Sequence, residues 1–291
     1  MTNQPPVATP TTPAATSTAS TAATPPLPPV WRVAASRAVL ELRVFARDKQ
    51  TVGFIVIMPA LLLVLLSAIF GSQPAAKGSG VTIGQLYTAG LIAGGIAGTS
   101  FTYLGITIAQ ERGNGTLKWL AATPMPRTAY FAGKIIQVIV CALAETALLL
   151  AVGVAFYHVS LPAQLTPWLT FAWVFLLGTA ACAVAGIAMS SLPKSPSGAG
   201  PIVSLTLTVL SFISGVYVVP LSTIPRPLQD IASLFPLKWL AQGLRSVFLP
   251  NSAAHLEAAG SWQHGPIALV LIAWIAGGLV VCARTFRWQP R

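Results

Sequence analysis

The sequence predicts an all-α membrane protein with six transmembrane helices, an amino-terminal interfacial helix, a short cytoplasmic helix between the second and third spans, and an extracellular re-entrant hairpin between the fifth and sixth. Three observations predict it. The first is composition: of 291 residues 54% are hydrophobic and only 8% charged, where a soluble domain carries about 25% charged residues. The second is length, because the runs 51–70, 83–108, 135–157, 168–190, 199–219 and 266–283 approach the roughly 20 apolar residues that cross a hydrocarbon core. The third is the placement of the basic residues. With the amino terminus inside, Arg32, Arg37, Arg43, Arg47, Lys49, Arg112, Lys118, Arg127, Lys134, Lys194, Arg284, Arg287 and Arg291 are all cytoplasmic, and only Lys77, Arg226, Lys238 and Arg245 fall outside. That asymmetry is the positive-inside rule. It accounts for the formal net charge of +11 without a nucleic-acid partner, and it predicts a multi-pass protein of the cell (inner or plasma) membrane with both termini cytoplasmic.

Residues 1–30 carry no charge and are rich in Pro, Thr, Ala and Ser. Such a segment cannot bury enough apolar surface to fold, so a disordered tail is expected there, with one membrane domain over 31–291. Residues 31–48 read as a helix lying in the membrane interface. Trp31, Ala35, Ala38, Leu42 and Phe45 recur at helical spacing beside a polar stripe of Arg32, Ser36, Arg43 and Arg47, and the arginines can reach lipid headgroups. Val33, Leu40 and Val44 form a second apolar strip; it suits contact with protein, or is the chance pattern of an ordinary lead-in helix.

The second span places Gly90, Gly94 and Gly98 four apart, a spacing that lets membrane helices approach closely; a sliding surface is the other reading. Ser100, Tyr103 and Thr107 share one face of it, and Ser204, Thr208 and Ser211 share one of the fifth span. Hydroxyls on such helices commonly bond their own backbone. Glu145 is the one acid well inside a run, with Gln137 two turns before it. Intramembrane carboxylates are rare enough to call for a role, and a structural hydrogen bond, a coupling contact and a contact to a cationic substrate all stay open. Residues 220–250 hold two short helical patterns interrupted by Pro220, Pro225, Pro227, Pro236 and Pro250, which argues against one continuous helix. The second pattern puts Leu237, Leu240, Leu244 and Val247 on one face and Lys238, Gln242 and Arg245 on another. Counting this region as a seventh span would move Arg284, Arg287 and Arg291 outside, so a hairpin is expected.

Cys141, Cys182 and Cys282 fall inside spans and His158, His255 and His264 in outer loops, so neither a disulfide framework nor a metal site is implied. The stretch "QERGNGTLKWLAATPMPRTAYFAGK", 110–134, interrupts the apolar pattern on the cytoplasmic side. Gly113, Asn114 and Gly115 permit a tight turn. Thr116 is placed to cap a helix over 117–122, which Pro124 and Pro126 end. Leu117, Leu120 and Ala121 share a face beside Trp119, framed by Glu111, Arg112 and Lys118. On spacing alone this is equally a docking knob for another protein or a connector packed on its own helices.

The same stretch resembles the cytoplasmic segment between spans two and three of ABC type-2 transporter permeases: an acid (Glu111), a Gly-Thr-Leu turn (Gly115, Thr116, Leu117), a short helix, a Thr-Pro pair (Thr123, Pro124) and a Gly-Lys (Gly133, Lys134). "ELRVFARDKQTVGFIVIMPALLLVLLSAIFG" is similar to that family's entry helix and first span. "FISGVYVVPLSTIPRPLQDIASLFPLKWLAQGLRSVFL" is similar to its span-five exit and external hairpin. The resemblance implies the permease subunit of an ATP-driven exporter. A separate ABC ATPase partner would bind ATP and Mg²⁺, a second permease copy would complete a homo- or heterodimer, and residues 111–122 would form the coupling helix. This chain would bind no cofactor: its Gly133-Lys134 lacks the glycine-rich loop and following Ser or Thr of a phosphate site. The resemblance further implies a pathway lined by Ser100, Tyr103, Thr107, Ser204, Thr208 and Ser211. Short loops and a compact hairpin are similar to the drug-efflux, antibiotic-resistance branch; a polysaccharide or teichoic-acid exporter is the alternative. A secondary transporter would show internal repeats, an intramembrane hydrolase would need a base inside the spans, and a scaffold complex without a substrate would be expected to carry a large external domain.

Overall fold

A computed structural model of the chain describes residues 29–76, 79–123, 125–193 and 195–285. The expected tail lies outside these residues but for its last two positions, as do Lys77, Pro124, Lys194, Arg287 and Arg291. The described residues are mostly helical, with Pro74 and Thr82 pairing as an isolated bridge. In chain order they form α1 (Val30–Arg47), α2 (Lys49–Phe70), α3 (Ile83–Gly113), α4 (Thr116–Ala121), α5 (Arg127–Tyr157), α6 (Leu165–Met189), α7 (Pro196–Ile213), α8 (Arg226–Ser233), α9 (Pro236–Phe248) and α10 (His264–Thr285).

Five of these, α2, α3, α5, α6 and α10, are long and apolar enough to cross a membrane. The sixth expected span is a shorter apolar helix. It begins earlier than expected because Ser195 caps it, accepting from the Gly198 N–H at 3.2 Å. It ends at Ile213 rather than 219 because Gly215 takes a left-handed conformation, φ +72°, and turns the chain, a conformation that suits glycine. Other starts are equally explicit. The Asp48 carboxylate accepts from the Thr51 N–H at 3.1 Å before the first turn of α2, and Thr82 with Gln85 forms a reciprocal capping box on α3.

The axis of the bundle is α3. Two-thirds of its apolar window, 67%, is buried inside the protein, against 17% for α2 and 11% for α10, so α2 and α10 are peripheral. Small residues bring the backbones together around it. A Cβ at Gly105 would stand 2.9 Å from the Gly186 carbonyl oxygen, so α3 and α6 cross nearly in backbone contact. Gly90 and Gly94 pack in the same way against Gly215 and Val216, beyond the end of α7, whereas Gly98 faces open space. The packing reading of the glycine stripe thus holds at two of its three positions.

The α8–α9 hairpin exists as two short helices, and Leu237, Leu240, Leu244 and Val247 enter the central core. Its polar face is buried too, which the spacing did not suggest. Arg245 is fully buried and donates to both Glu257 oxygens, at 2.5 and 3.2 Å, and to the Gly215 carbonyl at 3.2 Å. Lys238 lies over the Trp239 ring, 3.7 Å from its centroid. Burial pulls that ammonium below its ordinary pKa, with Glu257 opposing the shift.

Breaking a buried ion pair by removing one partner strands the other, at about 3–5 kcal/mol. Glu257→Ala is therefore expected to lower the thermal midpoint of the detergent-purified protein sharply, and Arg245→Met with Glu257→Ala to recover much of the loss. A single variant melting with the parent would show that the pair does not hold the hairpin.

Candidate functional site

The short helix α4 follows α3 after a two-residue turn made possible by Gly115, which takes φ +78°. Gly115 occupies the capping position, so Thr116, expected as the cap, is instead the first helical residue and makes no cap bond. The apolar face expected of Leu117, Leu120 and Ala121 divides in two. Leu117 is fully buried against the protein and fixes the helix, whereas Trp119 is 79% exposed, Ala121 exposed and Leu120 half-buried. The presented surface is therefore centred on Trp119, with Lys118 exposed beside it. Pro124 lies outside the described residues.

Glu111 and Arg112, expected to frame this surface, turn inward. Arg112 donates to the Ser190 carbonyl at 2.9 Å and to its hydroxyl at 3.0 Å, tying the end of α3 to the end of α6. Glu111 joins a charge cluster. Its carboxylate accepts from the Lys134 ammonium at 2.7 Å and from the Tyr130 hydroxyl at 2.5 Å. Lys134 is only 1% exposed and also donates to Glu41 at 2.8 Å. Arg37 completes the set, 2.5 Å from Glu41 and 3.8 Å from Glu111. Two cations and two anions thus balance among α1, α3 and α5. Gly133 allows this closeness, because a Cβ there would lie 2.7 Å from the Arg37 side chain.

This cluster sets the orientation of α1. Its buried face is Ala34, Ala38, Glu41 and Phe45, not the expected Trp31–Ala35–Ala38–Leu42–Phe45 stripe. Trp31, Leu40 and Val44 are exposed, so the second apolar strip is not the protein contact. Small side chains at 34 and 38 let α1 approach α5, and Glu41 must face Lys134.

The cluster continues into a polar stripe along α5 at Tyr130, Lys134, Gln137, Cys141 and Glu145, all buried. Gln137 donates to the Tyr103 hydroxyl at 2.9 Å, and the Tyr103 ring meets Phe45 edge-on at 5.3 Å. Deeper in the bundle the Thr99 hydroxyl donates to Glu145 at 3.0 Å. The other Glu145 oxygen has no partner among the described residues. Gly95 makes the room, since a Cβ there would overlap the Glu145 carboxylate.

The six candidate lining residues are not brought to one surface. A π-helical turn over Gly98–Tyr103 adds backbone to the turn and changes the register, so residues spaced for one α-helical face part company. Ser100 is fully buried and bonds the Ile96 carbonyl at 2.5 Å, while Tyr103 turns to α5. Thr107 is half-buried. On α7, Thr208 and Ser211 bond the carbonyls of Ser204 and Leu207 at 2.8 Å each, and exposure runs from half-buried Ser204 through exposed Thr208 to buried Ser211.

Sequence reasoning missed Arg37, Glu41, Tyr130 and Lys134 as a unit. Two signals carried it: the Arg37–Glu41 pair at i, i+4 in a chain with six acids, and the 4, 3, 4, 4 spacing of polar residues along α5. Among the described residues no group of His, Cys, Asp and Glu could hold a metal. The arrangement is mechanical: it links an exposed surface helix to the ends of α1, α3, α5 and α6.

Charge balance makes the cluster testable. Lys134→Met leaves two carboxylates facing one arginine and is expected to destabilise the protein by about 3–5 kcal/mol, whereas Lys134→Met with Glu41→Gln restores neutrality and recovers part of the melting temperature. No recovery in the double variant would mean that packing rather than charge holds the site.

The family described as ABC-2 family transporter protein matches residues 73–283. The chain is also similar to the probable multidrug ABC transporter permease YbhR of Escherichia coli (strain K12) and of Escherichia coli O157:H7, at 22% identity over 157 residues, 54% of this chain and 42% of each relative. The match thus spans less than half the length of these curated relatives. The chain belongs to the ABC-2 family of transporter proteins, and with five helices long and apolar enough to cross a bilayer it is a multi-pass membrane protein.

Proposed function

We propose that this chain is the membrane-spanning permease subunit of an ATP-driven exporter of amphipathic drugs or lipid-like molecules. In this reading α7 is the sixth span, both termini and α4 lie in the cytoplasm, and the α8–α9 hairpin dips into the outer leaflet. Two copies, or one copy and a homologue, pair with ABC ATPase subunits. These partners bind ATP and Mg²⁺ and carry out the hydrolysis, so the chain itself is a transport component and not an enzyme.

The observation that carries the reading is the division of α4 into a buried anchor, Leu117, and a presented surface at Trp119 and Leu120, joined through Glu111 to the cluster on α1, α3 and α5. A rigid-body push on α4 would reach three helices at once, which is what coupling to an ATPase requires. Family membership supports the transport role, and the multidrug designation of the E. coli relatives supports the drug branch.

The test is co-purification from the native membrane together with a point variant. Leu120→Glu is expected to insert normally yet to lose the ATPase partner and at least tenfold in transport; full transport by this variant would sink the docking assignment. Glu145→Gln, which keeps an acceptor for Thr99, is expected to retain more than half of the parent's transport. Complete loss with intact assembly would assign Glu145 a charge-dependent role instead of a structural hydrogen bond.

A further inference from the structure

A cavity of about 820 Å³ lies between α7 and α10, with α3, α6 and the turn between α8 and α9 completing its wall. Its lining is apolar and mixes small residues such as Ala185, Ala188, Ala273 and Gly277 with large ones such as Leu207 and Leu210. The Thr206 hydroxyl in the wall is satisfied by the Ile202 carbonyl at 2.9 Å and so asks nothing of an occupant. Ala273, Gly277 and Val281 are exposed, so the cavity opens sideways, where the bilayer surrounds the protein.

The two ends of the trough differ. At the hairpin end the Trp274 indole donates to the Leu234 carbonyl at 2.7 Å and the Phe235 ring stacks on it at 6.0 Å, which closes the passage. At the other end the lining stops at Leu192 on the α6 side and Val281 on α10. Arg284 follows three residues after Val281 on the same helical face and is exposed. Along α10 the lining runs from Val270 to Val281, which at 1.5 Å per residue is about 16 Å. That matches half of a hydrocarbon core about 30 Å thick.

We infer that this trough is a resident lipid site: it takes one acyl chain of an anionic phospholipid from the leaflet on the α4 side, with the chain end beneath Phe235 and Trp274 and the phosphate at Arg284. A spanning helix of a second copy would run past the whole hydrocarbon core, about 30 Å, well beyond this trough at both ends, whereas one acyl chain matches its length. A zwitterionic lipid would fill the trough equally well but would not use the arginine, because basic residues at the membrane surface select anionic headgroups. The inference requires only that the chain sits in a bilayer; it stands whether or not the chain exports anything, and the site differs from the hydroxyl-bearing faces discussed above.

Gly277 supplies the probe, because it lines the trough and a Cβ there meets nothing within 4 Å, which leaves room for a larger side chain to occupy the trough. The full-length protein, purified in mild detergent, would be titrated with phosphatidylglycerol or phosphatidylcholine and the bound lipid counted by native mass spectrometry. The parent is expected to retain phosphatidylglycerol at least fivefold better than phosphatidylcholine. Gly277→Trp should lose most retention of both at an unchanged melting temperature, and Arg284→Gln should keep a lipid but lose the preference. Equal retention by parent and Gly277→Trp would overturn the site, and an unaltered preference in Arg284→Gln would overturn the headgroup assignment. A photo-crosslinking side chain at Ala273 gives an independent reading and decides alone if Gly277→Trp cannot be purified. Label on phospholipid supports the inference; label on a second copy of the chain, or on a non-lipid amphiphile, overturns it.

Discussion

The Lys134 ammonium, buried near the start of α5 between the Glu41 and Glu111 carboxylates, is the interaction around which α1, α3 and α5 are arranged. A charge in that position has no water to fall back on, so every member of the cluster must be present and correctly aimed. That requirement fixes the rotation of α1 about its own axis, the approach of α3 to α5, and hence the point from which α4 departs. Arg112 extends the same logic to α6 through Ser190. Four helices therefore converge where the surface helix begins, and directional polar contacts fix their rotation and register on top of the apolar packing of Leu104, Ile108, Val138 and Ile187.

Elsewhere the chain uses absence of side chain as its main packing device. Gly133 receives Arg37, Gly95 receives the Glu145 carboxylate, and Gly105 and Gly186 let α3 and α6 cross. In lipid there is little hydrophobic gain from joining two apolar helices, so close backbone approach and interhelical hydrogen bonds do most of the joining. The π turn in α3 belongs with these devices. It sits where Thr99 reaches Glu145 and Tyr103 reaches Gln137, the two hydrogen bonds that join α3 to the polar stripe of α5.

The helices were readable in the sequence because burial in lipid imposes a length and a composition. The place of the short α4 helix was readable for a similar reason: two glycines and two prolines punctuate an otherwise apolar chain. What could not be read was which way its residues point. Leu117 and Leu120 differ by one turn and by nothing in composition, yet one is an anchor and the other part of the surface. Glu111 and Arg112 looked like a charged rim because spacing cannot reveal partners 23 and 78 residues away. The hydroxyl faces of α3 failed for a different reason, a change of helical register that leaves no mark in the residue pattern. On α9 the spacing separated a polar face from an apolar one but carried no sign that the arginine would be buried against Glu257, twelve residues on.

The shortness of α7 carries one more consequence. Its 18 residues rise about 27 Å, less than the depth of an average hydrocarbon core, and a mismatch of that kind is met by thinning the bilayer or by filling the gap. Here the chain beyond α7 folds back as α8 and α9, and Leu237, Leu240, Leu244 and Val247 of α9 enter the central core. On the proposal that α7 is the sixth span, that hairpin would stand in for lipid over part of one leaflet, and the protein would meet the mismatch that the bilayer otherwise bears.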